Sequence, residues 1–375
     1  MTILIFFIVL AVLVITHELG HFLVAKWNGV KVEEFGFGFP PRIWGWKKGE
    51  TLYSINWIPF GGFVKILGEQ AGVEVADSKD KDRSLSSKPR HIQALVLLAG
   101  VAFNFLLAWI ILSTGLWVGL PTSRAGVPEG YNLSGSQLIV VDVLKDSPAD
   151  LAGLKAGEVI TSVSDGVEKV VNPSISQVKD FFSVRAGVPV SLRYHGEITA
   201  EGQTSVASGK VTVIPKAGIA EGKAGIGVSL DEVGILKMPF FPAIYEGLRL
   251  SLMVSWAIIT TLWNLLLGAL HGQTTALSSV TGPVGLVGII GTSFALGFSY
   301  LLNLTAIISL NLAVINLLPF PALDGGRIFF LAIEAIRRKA ITPKFVNAVN
   351  SAGFLILLAL LAVLTYRDIL HLLNR

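Results

Sequence analysis

Thr16-His17-Glu18-Leu19-Gly20-His21-Phe22 lies at the inner end of an apolar run that opens the 375-residue chain. Residues four apart share one face of a helix, so His17 and His21 point the same way, with Glu18 beside them. Neutral imidazoles bind zinc, and a neighbouring carboxylate is a general base for a water that zinc activates. Inside a bilayer, ionisable residues are costly and usually functional. The stretch therefore predicts a catalytic zinc site; the plainer alternative is an anchor helix capped by histidines.

The composition indicates a membrane protein. Hydrophobic residues make up 52% of the chain and charged residues only 15%, against about a quarter charged in soluble proteins. The net charge of +4 is too small to indicate a nucleic-acid partner, and the absence of cysteine excludes disulfides and cysteine-bound metals. Runs long enough to span a bilayer, about twenty residues, lie at 3–25, 92–118, 250–270, 299–320 and 346–366.

The placement of basic residues predicts the orientation. The first run has no basic residue before Lys26, so it does not resemble a cleaved signal peptide. Eleven Lys and Arg follow in 26–90, and five lie between the last two runs. The positive-inside rule puts both connections in the cytosol and the N-terminus outside. His17 is about 21 Å along the helix from Ile3, which predicts a zinc site near the cytosolic side.

The connection 28–90 reads as strands followed by a polar linker over 70–90. Residues 51–57 alternate in hydrophobicity, and Gly61 and Gly62 form a turn before residues 63–66. Trp44, Trp46 and Trp57 are unusual in a cytosolic loop. Two interpretations stay open: an ordinary interfacial loop, or a β-hairpin that dips into the membrane towards the site.

The second run carries one strongly polar residue, Asn104, a turn after Gly100. In membrane helices a small residue permits close approach and an amide bridges neighbours, so we predict a packing role for both.

Residues 125–216 have the pattern of a small, mainly β domain. Short alternating runs occur at 138–141, 190–194 and 211–213. Ser147 followed by Pro148 predicts a helix start, and Ser174 to Val184 predicts a second helix. The segment has no cluster of residues suited to catalysis.

The third run ends in a helix break. Pro319 and Pro321 interrupt it, and Asp324 follows immediately before the pair Gly325 and Gly326. A catalytic zinc site takes three protein ligands and leaves a fourth position open. Asp324 is therefore the candidate third ligand; the alternative is that it caps the next helix.

These motifs resemble the site-2 protease family of intramembrane zinc metalloproteases, in particular its bacterial regulator of sigma-E protease type. The resemblance covers nearly the whole chain. It rests on His17–Phe22, on Asn316–Gly326 as the Asn-x-x-Pro-x-Pro-x-Leu-Asp-Gly-Gly motif, on a β-loop containing Gly61 and Gly62, and on a PDZ-like core at Ser147–Gly157. Gly282-Pro283-Val284 matches a further segment, whereas Val101 stands where the family usually has proline.

The resemblance implies a zinc cofactor held by His17, His21 and Asp324, with Glu18 as the catalytic base. It implies that Asn311 and Asn316 hold the unwound substrate or stabilise the oxyanion, with Pro319, Pro321, Gly61 and Gly62 nearby. An edge strand from 51–66, including Ile55, would pair with an extended substrate. The expected partners are single-span membrane proteins trimmed first by another protease, such as anti-sigma factors or signal-peptide remnants, and the lipid bilayer; no nucleic acid is expected, and the oligomeric state stays open.

The predicted architecture is a polytopic α-helical protein of about four transmembrane helices, with a membrane-associated β-hairpin and one inserted extracytoplasmic PDZ-like domain. The expected location is the bacterial cytoplasmic (inner) membrane, with the N-terminus and the PDZ-like domain outside. The run 250–270 is predicted to lie along the outer surface, because one extra crossing would carry Asp324 about 30 Å from the zinc. The competing solution is a pair of crossings, with 282–297 as the partner. The predicted segments are 1–27, 28–90, 91–119, 125–216, 217–298 (linker and peripheral helix), 299–323, 324–345 (cytosolic loop) and 346–367.

Two other functions use the same features. A metal-handling membrane transporter would use the same ligands, but it predicts repeated polar spans or inverted repeats, and none is visible in the sequence. A non-catalytic PDZ receptor leaves Glu18 without a role. Replacement of Glu18 by Gln separates the three, because only a protease loses activity while it keeps zinc.

Overall fold

A computed structural model describes residues 1–69, 78–195, 208–220, 223–271 and 281–373. The chain divides into two compact units, and each is described by itself. The first, called the membrane unit, comprises Met1–Ser113, Ile244–Ile290 and Leu304–Arg375. The second, called the sheet unit, comprises Thr114–Ala243 and Gly291–Asn303.

The helices and strands alternate along the chain as follows. The helices are α1 (Thr2–Trp27), α2 (Arg90–Val118), α3 (Pro148–Leu151), α4 (Ile175–Ser183), α5 (Phe240–Leu270), α6 (Pro283–Leu296), α7 (Phe298–Leu317), α8 (Asp324–Arg337) and α9 (Pro343–Leu373). The strands are β1 (Val32–Lys48), β2 (Thr51–Ile66), β3 (Leu120–Ser123), β4 (Leu133–Val143), β5 (Val159–Ser164), β6 (Lys169–Val171), β7 (Val190–His195), β8 (Ser208–Val213), β9 (Lys216–Ala220), β10 (Lys223–Gly225) and β11 (Val228–Leu236).

Among the described residues, five helices are long and apolar enough to cross a membrane: α1, α2, α5, α7 and α9. At 1.5 Å per residue, even the shortest of them, the 20-residue α7, matches the hydrocarbon thickness of about 30 Å. Helix α6 has only 14 residues and is too short to do so. These helices support the predicted polytopic membrane protein.

The apolar run 250–270 belongs to α5, a continuous helix of 31 residues. In the most apolar 18-residue stretch of α5, only 6% is buried inside the protein, whereas the corresponding share in α2 is 39%. By length and composition α5 is a fifth candidate span, one more than the predicted four. That 250–270 lies along the outer surface stays a prediction.

Strands β1 and β2 each fold over into two segments and form a four-segment antiparallel sheet. Glu34 is opposite both Leu52 and Lys65, and Ile55 is opposite both Phe37 and Trp44. The segments therefore lie in the order 42–48, 51–56, 34–37 and 62–66. The predicted strands are present, but the expectation of an edge strand at Ile55 is wrong, because that residue is paired on both sides. Within the described chain, the outer side of 62–66 pairs with no strand.

The turn between β1 and β2 is held at the end of α1. Glu50 in this turn accepts hydrogen bonds from Lys26 at 2.5 Å and from Arg83 at 2.6 Å. The hydrogen bonds from Arg83 and then Lys26 lower the pKa of Glu50 to about 2. Arg83 belongs to a short 3-10 helix, Ser78–Arg83, within the predicted linker. The first part of that linker, 70–77, lies outside the described residues.

The break after the third run is as the two prolines predict, since α7 ends at Leu317. The segment 324–345, predicted to be the cytosolic connection between the last two spans, contains α8. A helix that starts near Gly326 was part of the alternative role of Asp324 as a cap, but the N-cap position is occupied by Leu323 and not by Asp324. That this connection lies in the cytosol stays a prediction.

The sheet unit is built on a seven-stranded sheet. Its strands lie in the order β3-β11-β4-β5-β7-β8, with β6 on β5, while β9 and β10 form a separate pair. Ser147 caps α3 as predicted, and Ser174 begins α4 with a capping box. Side chains from the sheet and α4 form one buried core: Leu138, Val140, Ala149, Leu154, Ile160, Val163, Val178, Phe181, Phe182, Val190, Leu192, Val213 and Ile226.

The predicted limits of this domain, 125–216, are too narrow. Strand β11 lies between β3 and β4, and Leu236 is paired directly with Leu120. Residues 228–236 are therefore an inner strand of the sheet and not part of a linker that begins at 217. Strand β3 has only four residues and carries a weak sequence signal, and the pairing of β11 with β3 and β4 cannot be inferred from its own residues, which is why both were missed. The PDZ-like classification stays a prediction.

Candidate metal centre

Three donor atoms from two helices converge in the membrane unit. His17 Nε2 and His21 Nε2, both on α1, lie 3.2 Å apart. Asp324 Oδ2, on the first residue of α8, lies 3.1 Å from His17 Nε2 and 3.2 Å from His21 Nε2. The structure thus brings together the three residues that the sequence offers as ligands, although Asp324 lies 303 positions after His21 in the chain (324 − 21).

The spacing of these atoms fits zinc. Ligands about 2.0–2.1 Å from a tetrahedral zinc ion are about 3.3–3.4 Å from one another, close to the three distances here. Asp324 Oδ2 is buried and makes no hydrogen bond, so it is free to bind a cation. Among the described residues, His17, His21 and Asp324 form the group of potential metal ligands whose donor atoms all lie within 4.8 Å of one another, close enough to share one metal ion. Two imidazoles and one carboxylate are a donor set of catalytic zinc sites.

Helix α2 holds the two imidazole rings from the other side. His21 Nδ1 donates to the carbonyl oxygen of Val96 at 2.8 Å. His17 Nδ1 lies 3.3 Å from the side-chain nitrogen of Asn104. Between them, a Cβ at Gly100 would lie 2.3 Å from His21 Nε2 and 2.6 Å from the His17 ring, so only glycine fits. The sequence predicted a packing role for Gly100 and Asn104 and missed their contact with the histidines; their four-residue spacing with Val96 was the available signal.

The position of Asp324 depends on close contacts around the helix break. A Cβ on Gly325 would lie 2.2 Å from the carbonyl oxygen of Leu318, and one on Gly326 would lie 2.2 Å from that of Phe320. Ala322 has a positive φ of 75°. Its backbone N–H donates to Asn350 Oδ1 of α9 at 3.2 Å. The aspartate is therefore positioned by a tightly folded segment that α9 supports.

Glu18 lies beside the outer segment 62–66 of the hairpin. A Cβ on Gly62 would lie 2.9 Å from Val14 and 3.4 Å from Glu18 Cγ. The absence of a side chain at Gly62 lets this backbone approach the face of α1 that carries Glu18. Gly61 has a positive φ of 100°, which favours glycine.

The other predicted substrate-binding residues are spread over α7 and the break. Asn311 is half-buried, and its side-chain nitrogen donates to Ile307 within α7 at 2.9 Å. Asn316 is half-buried one turn further on, and Pro319 is exposed in the break. Pro321 packs against α9, where a Cβ on Gly353 would lie 2.6 Å from it. Ile55 is 42% exposed, but its strand segment is an inner one.

Comparison with known proteins gives one family and several relatives. The model of peptidase family M50 matches residues 5–360. A protein of Clostridium perfringens that carries a provisional zinc metalloprotease name is 34% identical, over 96% of this chain and 95% of that one. The zinc metalloproteases RasP of Oceanobacillus iheyensis and Shouchella clausii are each 27% identical, over 98% of both chains.

The family match and the relatives' names favour the protease over the transporter and the receptor. They agree with a donor set that fits zinc in a chain with five helices apolar enough to span a membrane. The chain belongs to peptidase family M50, the site-2 protease family, and is a zinc metalloprotease.

Proposed function

We propose that the protein is an intramembrane endopeptidase that cleaves single-span membrane proteins, with His17, His21 and Asp324 as zinc ligands and Glu18 as the catalytic base. The observation that carries the proposal is the convergence of the three donor atoms within 3.2 Å of one another. His17 and His21 lie in α1, a 26-residue helix that is long enough and apolar enough to span a membrane.

The chemistry divides between the metal and Glu18. A zinc ion held by His17, His21 and Asp324 would supply an acidified water molecule and would polarise the scissile carbonyl. The carboxylate of Glu18, partly exposed beside the ligands, accepts a proton from the water and gives it to the nitrogen of the leaving amine. Asn311 and Asn316 on α7 are proposed to bind the unwound substrate or the oxyanion, with Pro319 and Pro321 in the adjoining break.

A helical substrate must expose its peptide bond before attack, because a membrane helix keeps its backbone groups bonded internally. The segment 62–66 supports a mechanism for this step. Its outer side is unpaired among the described strands, and Gly62 brings it next to Glu18. An extended substrate that pairs with this edge by β-augmentation would pass beside the catalytic base. Gly61 and Gly62 would then contact the substrate backbone.

Replacement of Glu18 by Gln tests the catalytic role. The variant is expected to keep one zinc per chain and to lose at least about a hundredfold in cleavage of a single-span, type II substrate in detergent, the scale of general base catalysis. The native enzyme with a chelator is the control for metal dependence. Cleavage by Glu18→Gln at the native rate would reject Glu18 as the base.

Paired proline substitutions test the edge strand. Consecutive N–H groups of a strand point to opposite sides. Of the two single substitutions Val64→Pro and Lys65→Pro, one therefore removes an N–H donor from the outer, unpaired side, and the other removes one from the paired side. The outward substitution is expected to lower cleavage about tenfold while zinc content and melting temperature are kept. Ile55→Pro, on an inner segment, is the control that disrupts the hairpin itself. Native turnover of helical substrates by both Val64→Pro and Lys65→Pro would reject the edge.

The sheet unit is proposed to be an extracytoplasmic, PDZ-like gate that admits substrates already trimmed by another protease. A groove of about 610 Å³, lined by α4 and β11 and including Val178, Phe182 and Leu230, supports peptide binding. Since Leu120 and Leu236 are paired, a short linker can replace 121–235. This deletion is expected to relax discrimination against full-length substrates. Equal discrimination with and without the unit would reject the gate.

The proposed location is the bacterial inner membrane, with the N-terminus outside and the metal centre near the cytosolic side. The bacterial relatives and the basic segments 26–90 and 327–344 support it.

A further inference from the structure

Asn104 has an unusual environment for a polar side chain. It is fully buried, with 0% relative exposure. Its side-chain nitrogen lies 3.3 Å from His17 Nδ1, while its side-chain oxygen makes no hydrogen bond at all. A buried acceptor without a partner is unfavourable, because it has lost its hydrogen bonds to water, so the arrangement calls for an explanation.

The tautomer that His17 needs as a metal ligand explains this environment. For His17 Nε2 to offer a lone pair to a metal, the proton of the neutral ring must lie on Nδ1. His21 meets the same requirement by donating from Nδ1 to the carbonyl oxygen of Val96. At His17, however, an amide N–H would face the ring N–H, and two donors cannot bond to each other. An amide rotated by half a turn exchanges its nitrogen and oxygen and places an acceptor at the same point.

We infer that Asn104 is a positioning residue for the zinc ligand His17, with Asn104 Oδ1 accepting the proton of His17 Nδ1. The inference rests on the proposed assignment of His17 as a ligand. One rotation of the amide gives the orphaned oxygen a partner and fixes the tautomer that leaves His17 Nε2 free for the metal. Val96, Gly100 and Asn104, four residues apart on α2, then form one surface that orients both imidazoles.

The side chain of Asn104 is distinct from its packing contact. The hydroxyl of Ser309 on α7 donates to the backbone carbonyl oxygen of Asn104 at 2.8 Å. This bond joins α2 to α7 without the amide. Ser309→Ala therefore removes a packing bond at the same residue and leaves the amide in place, which makes it the matched control for a purely structural role.

The experiment compares Asn104→Leu and Asn104→Ala, which cannot accept a hydrogen bond, with Asn104→Asp, which keeps an acceptor of the same size. The readouts are zinc affinity by chelator competition, the visible spectrum of the Co²⁺-substituted protein, and the melting temperature of the metal-free protein. Loss of a partner behind a metal ligand typically costs 10–100-fold in affinity. We expect that loss and a changed Co²⁺ spectrum for Leu and Ala, affinity within about threefold of native for Asp, and no change in affinity for Ser309→Ala.

Two results would overturn the inference: native zinc affinity and a native Co²⁺ spectrum in Asn104→Leu or Asn104→Ala, or an equal loss of affinity in Asn104→Asp. Because the Asp and Ala variants differ in the acceptor, the comparison does not depend on the folding of the Leu variant. His17→Ala separates this inference from the proposed function. If His17→Ala binds zinc like the native protein, the ligand assignment itself fails; if it loses zinc while Asn104→Leu does not, only the role of Asn104 fails.

Discussion

The two sides of the metal centre are built in different ways. The histidine side is local: His17 and His21 lie one turn apart on the same helix, so any α-helix with this sequence brings them together. The aspartate side is assembled from a distance. Asp324 reaches the histidines only because the segment 318–323 folds tightly against the start of α8 and contacts α9 at Asn350 and Gly353.

This difference predicts how substitutions on each side should affect zinc binding. On the histidine side, the helix sets the spacing of the two rings, and α2 leaves room for them at Gly100 and contacts them through Val96 and Asn104. On the aspartate side, geometry depends on several backbone contacts that each exclude a side chain. Substitutions of residues that never touch the metal should therefore act through the orientation of the imidazole rings on the histidine side and through the course of the backbone on the aspartate side.

Among substitutions of Gly325, Asn350 and Glu50, Gly325→Ala should have the largest effect. The new Cβ would lie 2.2 Å and 2.3 Å from the carbonyl oxygens of Leu318 and Leu317, and backbone atoms cannot yield without moving Asp324. We expect zinc affinity to fall more than tenfold, measured by chelator competition. Gly126→Ala is the control, because its Cβ would meet only Thr122 at an ordinary 3.4 Å. If both variants bind zinc equally well, the aspartate side is less constrained than the contacts imply.

Asn350→Ala should have an intermediate effect. The substitution removes the oxygen that accepts a hydrogen bond from the backbone N–H of Ala322. Ala322 has a positive φ of 75°, which this hydrogen bond helps to maintain. A hydrogen bond of this kind contributes about 0.5–1.5 kcal/mol, so zinc affinity should fall about two- to tenfold. Addition of Ala322→Gly, which accepts this φ without strain, should recover part of the loss. Ser351→Ala, exposed on α9, is the control; an equal loss there would count against a specific role for Asn350.

Glu50→Gln should have the smallest effect, and it should depend on pH. The pKa of Glu50 is lowered from 4.5 to about 2 by Arg83 and Lys26. A lowered carboxyl pKa contributes stability above the unfolded value, and this is lost as the pH falls from about 4.5 towards 2. The group is 27% exposed, so the contribution at pH 7 is below about 1 kcal/mol. The melting temperatures of native and Glu50→Gln protein should differ at pH 7 and converge as the pH falls towards 2; a constant difference would contradict this.

The sequence predicted what depends on local spacing. The pair of histidines, the break at Pro319 and the helix starts at Ser147 and Ser174 all follow from residues a few positions apart. Asp324 was predicted because a zinc site needs a third ligand and the break after α7 offers one, with a helix cap as its alternative. Its distances to His17 and His21 support the ligand, which stays a proposal.

What the sequence did not predict depends on pairing between distant segments. Alternating hydrophobicity predicts a strand at 51–57, but it does not predict the pairing of that strand. The structure shows that Ile55 is paired on both sides and that the free edge lies at 62–66. In the same way, β11 is an inner strand only because β3 and β4 flank it. Asn104 read as a packing residue because its partner, His17, lies 87 positions earlier.

The zinc content and zinc affinity of Asp324→Asn show whether a single zinc centre is built from both the histidine side and the aspartate side. Metal analysis of purified native protein should give one zinc per chain. Asp324→Asn, like His17→Ala and His21→Ala, should lose zinc affinity by at least about a hundredfold, while Glu18→Gln keeps it. Full zinc content and native affinity in Asp324→Asn would show that the aspartate is not a ligand and that the convergence of the three donor atoms does not build the metal site.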